Sequence, residues 1–199
     1  MQKSIANSFA GHLETTADAE AELVREAQFN HSAFATIYEL HHATIYRYLF
    51  TCTGNSEDAA DLTQQVFLKA LTSLRTYNSS KGALITWLFA IAHNCALNFV
   101  KRRKIASSAA WDISQQALVD AIPASDPEAE ILRQEASAKL HTLLARLDYR
   151  KRELLALRFV SGLTTAQIAT IVGKSQAGVK KQITRLLQDL RKEYHADIQ

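Results

Sequence analysis

Two prolines and six glycines in 199 residues leave this chain with few of the residues that tight turns require. A β-sandwich or barrel needs them at nearly every hairpin. Their scarcity points instead to helices with few breaks between them. Apolar residues make up 47 % of the chain, enough to build cores, and the length admits one or two domains of roughly 100–200 residues. No segment approaches the ~20 apolar residues needed to cross a bilayer. The N-terminal stretch has no apolar run of signal-peptide length and soon turns acidic. A cytoplasmic protein is expected. Cys52 and Cys95 suit a reducing compartment and supply no disulfide framework.

Net charge is +3, but it is spread in blocks. Residues 1–30 carry five acids and two bases, and 101–104 read Lys-Arg-Arg-Lys. From Ile105 to Leu132 there are five acids and no base; from Arg133 to Gln199, thirteen bases and six acids. Two basic regions flank an acidic connector, the pattern of two modules that touch a polyanion through a connector that does not.

Apolar spacing predicts a helix from Phe34 to Phe50 through Phe34, Ile37, Tyr38, Ile45 and Leu49. Asn55 or Ser56 is placed to cap the next helix, whose stripe is Leu62, Val66, Phe67, Ala70, Leu71 and Leu74. Asp58, Asp61, Gln64, Gln65 and Lys69 lie away from that stripe. "RTYNSSKG" breaks the helix. "ALITWLFAIAHNCALNFVKRRK" then reads as a long helix, apolar nearly all round at its start and basic at its end, a breadth that implies burial between other helices. Residues 105–126 show no period and read as a linker, with Trp111 and Ile113 as anchors. Pro127 suits a first helical position, and further helices are expected over about 128–145, 149–161, 164–172 and 175–193. The expected fold is all-α, with two helical domains joined by a flexible acidic linker.

In the last two helices "TTAQIATIV" precedes Gly173, and Ser175 can cap the final helix. Val179, Ile183, Leu186, Leu187 and Leu190 form the inner face. Ser175, Gln176, Ala177, Lys180, Lys181, Thr184, Gln188 and Arg185 lie elsewhere, at the exposed start or on the outer face. Short helix, glycine turn and longer helix make a helix-turn-helix layout. Its second helix fits a major groove, with Gln176 toward a base edge, Ser175 toward phosphate or base, and Lys180, Lys181 and Arg185 toward phosphates. A solvated helix of an ordinary bundle has the same spacing, and Gly178 inside the helix costs ~1 kcal/mol against alanine. The other basic site, Lys101 to Lys104, ends a helix containing Trp87, Phe89, His93, Asn94 and Asn98. Rings beside cations suit single-stranded nucleic acid, although cations also favour any helix C-terminus and Trp87 also suits a core.

Two stretches together carry more than either. Asp61-Leu62-Thr63-Gln64-Gln65-Val66-Phe67, then Trp87-Leu88, Ile91-Ala92, Asn94 and the basic end, resemble the second conserved region of bacterial RNA polymerase sigma factors of the extracytoplasmic-function (ECF) type. "LARLDYRKRELLALRFVSGLTTAQIATIVGKSQAGVKKQITRLLQDLRK" resembles that family's fourth region. The resemblance covers about 34–104 and 128–192. It implies a promoter-specificity subunit with an N-terminal extension over 1–30, region 2 over 31–104, a linker over 105–127 and region 4 over 128–199. Asp58, Asp61, Gln64 and Gln65 would meet the coiled coil of the largest polymerase subunit, and region 4 the flap of the second-largest. Tyr77, Asn78, Ser79, Lys81, Trp87, Asn94, Asn98, Lys101, Arg102 and Arg103 would engage the −10 element. Ser175, Gln176, Ala177, Lys180, Lys181, Thr184 and Arg185 would engage the −35 duplex. An anti-sigma factor is the further partner implied. No catalytic residue, metal, cofactor or membrane insertion is expected.

Gln65 and Gln167 stand where the family usually has Glu, and Gly178, Lys181 and Gln182 where it often has Thr, Ser and Arg. The alternative reading is a stand-alone helix-turn-helix repressor with a helical sensor domain, which leaves Trp87, the basic helix end and the acidic linker unexplained. An enzyme or metal site on His41, His42, Cys52, His93 and Cys95 is disfavoured, because neighbours one or two apart on a helix do not converge. A helical adaptor that binds no DNA is the remaining class.

Overall fold

A computed structural model describes residues 19–106 and 142–196. The linker, its anchors Trp111 and Ile113, the start at Pro127 and most of the helix expected over 128–145 lie outside them. Helix α1 covers 19–27, α2 His31–Thr53, α3 Ser56–Ser73 and α4 Leu84–Ala106, with single 3₁₀ turns at Leu74–Thr76 and Ser79–Lys81 between α3 and α4. Helix α5 covers 142–146, α6 Tyr149–Leu155, α7 Thr165–Val172 and α8 Gln176–Ala196. No strand occurs among the described residues.

Local chemistry explains most boundaries. The Asn55 side chain accepts from Asp58 N–H at 2.9 Å, and Glu57 and Asp58 sit at the positive end of α3. Asp148 caps α6 by accepting from Lys151 N–H at 3.0 Å. Thr164 and Gln167 form a reciprocal capping box on α7. Gly173 ends α7 at φ 66°, in the left-handed region that glycine occupies without strain. Asn55→Ala is expected to lower stability by about 1 kcal/mol, read as a lower urea midpoint at unchanged slope.

In the N-terminal module Ile37, Ile45, Tyr48 and Leu49 of α2 pack with Leu62, Val66 and Ala70 of α3 and with Leu88, Phe89 and Ala92 of α4. The Tyr48 and Phe89 rings meet edge to face, 5.3 Å between centroids. Helix α1 belongs to this module, although the family resemblance set 1–30 apart as an extension. Its Val24 and Ala27 are buried, Gln28 donates to the Leu74 carbonyl at 3.1 Å, and Glu20 accepts from Leu84 N–H at 2.9 Å, capping α4 from another helix. Contrary to the expectation that no segment is suited to a bilayer, Leu84–Arg102 is long and apolar enough by length and composition. Its Leu84, Leu88, Phe89, Ala92, Cys95 and Ala96 are buried in the core, and Ile85, Ala90, Ile91 and Phe99 are partly buried against it, so much of its apolar surface packs inside the protein.

The C-terminal module is built on Leu154, Ala156, Leu157, Leu163, Ile168, Ile171, Val179 and Ile183. The helix expected over 149–161 is α-helical only to Leu155; Ala156–Val160 widens into a π turn, with Ser161 N–H donating to the Ala156 carbonyl at 2.9 Å. The two modules share one continuous core, with α2 packed on α6 and the π turn, and α4 packed on α7. This explains why α4 is apolar on so many sides.

Candidate nucleic-acid and polymerase interface

The turn between α7 and α8 is short and tied at both ends. Ser175 Oγ accepts from Gly178 N–H at 3.2 Å, so it caps α8. A Cβ at Gly178 would stand 3.0 Å from that hydroxyl, a tight contact that the glycine avoids. Gln176 donates from Nε2 to Thr165 Oγ1 at 3.3 Å, and Lys174 donates to Gln182 at 3.0 Å, pinning the start of α8 to its surroundings. Ser175, Gln176, Ala177, Lys180, Lys181, Thr184 and Arg185 are all exposed, while Val179, Ile183 and Leu186 are buried on the opposite side. Leu187, read from the sequence as an inner residue, is instead 41 % exposed. Three cations on the free side of a capped helix present what a phosphate-lined groove attracts.

The second surface runs along α4. Asn78 accepts from Ser80 N–H at 2.9 Å and from its hydroxyl at 2.7 Å, which sets the turn carrying the exposed Asn78, Ser79 and Lys81. Tyr77 is buried, and its hydroxyl donates to the Gly82 carbonyl at 2.9 Å. Its ring lies 5.3 Å from that of Trp87, tilted by 55°, so Tyr77 backs the half-buried indole. Asn94, Asn98, Lys101 and Arg102 are exposed further along α4. Arg103 lies in the same helix, its side chain outside the described part. Gln65, Lys69, Cys95, Asn98, Lys101 and Arg102 line one shallow groove between α3 and α4, where Lys69 Nζ stands 3.4 Å from Cys95 Sγ.

The third surface is the outer stripe of α3. Asp61, Gln64 and Gln65 are exposed, and Asp58 is half-buried near the cap. Leu68, 64 % exposed, continues this stripe one turn on from Gln64. Sequence reasoning passed over it, although spacings of three, four and seven from Gln65, Gln64 and Asp61 were there to be read. Leu40 on α2 is exposed to a similar degree, 62 %.

The histidines and cysteines are dispersed. His42 stacks on Tyr38 at 5.0 Å, His93 contacts Glu153, and Cys52 and Cys95 are free and buried. No three metal-ligating side chains converge among the described residues.

Comparison with known proteins agrees with this arrangement. The family description sigma-70 region 2 matches residues 37–105, and sigma-70 region 4 matches 137–190. The ECF RNA polymerase sigma factor BldN of Streptomyces coelicolor is 29 % identical over 191 residues, covering 89 % of this chain and 71 % of the relative. The RNA polymerase sigma factor YlaC of Bacillus subtilis is 30 % identical over 156 residues, covering 78 % and 88 %. CnrH, solved in complex with the cytosolic domain of CnrY, superposes with a TM-score of 0.66 at 21 % identity, covering 90 % of this chain and 99 % of that one. RpoE from Bartonella quintana, solved with the anti-sigma factor NepR, gives 0.61 at 21 %, covering 82 % and 98 %. The chain belongs to the RNA polymerase sigma factors of the ECF type. Its function is to bind core RNA polymerase and direct it to promoters at transcription initiation.

Proposed function

We propose a division of labour among the surfaces within that function. Region 2 occupies about 31–104 and region 4 about 128–199, with 105–127 between them as a linker. The α3 stripe of Asp61, Gln64, Gln65 and Leu68, with Asp58 beside it, docks on the coiled coil of the largest polymerase subunit, and region 4 on the flap of the second-largest. Asn78, Ser79, Lys81, Trp87, Asn94, Asn98, Lys101, Arg102 and Arg103 engage the −10 element, Tyr77 acting through Trp87. Ser175, Gln176, Ala177, Lys180, Lys181, Thr184 and Arg185 engage the −35 duplex. The observation that carries this reading is the capped helix α8, with its cations exposed and its apolar side buried. An anti-sigma factor is the regulatory partner, by likeness to RpoE and its NepR complex. The chain itself performs no catalysis and acts where polymerase and chromosome are, in the cytoplasm.

Core-polymerase binding, combined with permanganate mapping of unpaired thymines on bound promoters, tests the assignment. The intact chain is expected to give melted bases near −10 only when core enzyme is present. Trp87→Ala is expected to bind core normally, keep its helical circular dichroism and lose most of the permanganate signal. Full melting by a folded Trp87→Ala chain removes the indole from the −10 contact.

A further inference from the structure

The two modules meet at one buried carboxylate. Glu153 of α6 is 4 % exposed, and its Oε1 accepts from three side chains. Tyr149 on its own helix donates at 2.8 Å and Tyr48 of α2 at 3.0 Å, and His93 Nδ1 of α4 stands at 2.6 Å, where the ring donates when its proton sits on Nδ1. Two of the three donors thus come from the other module. Burial, with Cys52 and Glu153 beside them, raises both phenols above their ordinary value, so both stay protonated donors. Burial also lowers the neighbouring Arg152 guanidinium to about 10. A carboxylate taken out of water this far is costly unless such donors surround it. Pulling the modules apart removes two of its donors at once.

A second polar contact lies where α7 meets α4. Gln167 Nε2 donates to Thr86 Oγ1 at 3.1 Å, next to Trp87, while its Oε1 completes the capping box on Thr164. A glutamate at 167 could make the cap, but it could not donate to Thr86. The glutamine is what permits both.

This packing conflicts with the promoter geometry proposed above. By their names the two elements lie about 25 base pairs apart, roughly 85 Å of duplex at about 3.4 Å per base pair. A packed body of about 150 residues spans only roughly 40 Å. With α4 and α7 in contact, the −10 and −35 surfaces cannot reach their elements together. We propose that Glu153, held by Tyr48 and His93, and Gln167, held by Thr86, form an interdomain latch that keeps the free chain closed and incompetent for promoter engagement. The inhibitory part of this inference rests on the proposed function; the latch itself does not.

The latch is tested in the full chain with Tyr48→Phe/His93→Ala and, separately, with Gln167→Glu, which preserves the cap. Small-angle scattering reads the closure, circular dichroism the helix content, and titration of a promoter duplex carrying both elements, with core polymerase at a fixed level, the consequence. At unchanged helicity the radius of gyration is expected to rise in both variants. Apparent affinity for the promoter duplex is expected to tighten by up to about tenfold, because the competent fraction grows. An unchanged radius of gyration in both variants overturns the latch. A larger radius with unchanged promoter affinity overturns its inhibitory role. Tyr48→Phe alone, which removes one oxygen and no packing, decides the matter if the double variant loses helicity. Failure of the intact chain and of every latch variant to bind core counts against the proposed function, while the scattering still decides whether the latch exists.

Discussion

Replacing Lys180, Lys181 and Arg185 together with alanine is expected to leave the protein folded and to cut its affinity for a −35 duplex by about 10²-fold at 0.15 M salt. All three side chains are exposed, and the core side of α8 is made by Val179, Ile183 and Leu186, so nothing in the packing depends on them. Each phosphate contact contributes about 0.9 to the slope of log affinity against log salt. Three lost contacts flatten it by about 2.7, which between 1 M and 0.15 M salt amounts to about two decades. Titration of polymerase bound through this chain onto a promoter duplex, repeated over a range of salt, measures both quantities. Loss of affinity with an unaltered salt slope would mean that these cations act on the fold and not on the phosphates.

Leu68→Asp is expected to abolish useful binding to core polymerase, by about 30-fold or more, while leaving stability within about 0.5 kcal/mol. The leucine is 64 % exposed on a helix whose buried side is complete with Leu62, Val66 and Ala70, so the substitution removes no core volume. An apolar side chain one turn on from the exposed Gln64 and Gln65 is the kind of anchor that a partner helix covers. A buried aspartate in that position would lack both water and a counter-charge. Gln64→Ala, which only trims the rim, should cost much less. Equal losses from the two substitutions would contradict an apolar anchor.

Features that depend on a few neighbouring residues were legible in the sequence. Asn55 and Ser175 act as caps because each needs only a backbone N–H three residues away. The inner stripe of α8 could be read from spacing, apart from Leu187, where the apolar pattern outruns the surface available to bury it. Gly178 looked like a flaw in a recognition helix by propensity alone. A Cβ there would stand 3.0 Å from the Ser175 hydroxyl, a close approach that no propensity scale contains. The breadth of α4 correctly announced burial on several sides, but not against which helices.

Contacts between distant segments were not legible. Glu153 meets Tyr48 across 105 positions and His93 across 60, and charge patterning reads such a glutamate as one more surface acid. Residues 1–30 stand apart in the sequence because the family resemblance begins only near 34, yet Glu20 of helix α1 places an acid on the α4 N-terminus, where a negative charge is favourable. Leu68 stands at helical spacings from Gln65, Gln64 and Asp61, but spacing alone does not tell an exposed apolar anchor from a leucine at the margin of the core stripe. The surfaces could be named from spacing, whereas their closure against one another depends on packing that no local pattern encodes.

Transcription reconstituted from purified components tests the central claim most directly. Core polymerase with this chain should start at discrete sites on genomic fragments. Core alone, or core with the Lys180/Lys181/Arg185 triple alanine variant, should give none of them. Tight, sequence-selective binding to duplex DNA by the chain alone, with no start sites conferred on core enzyme, would contradict the account and point to a repressor.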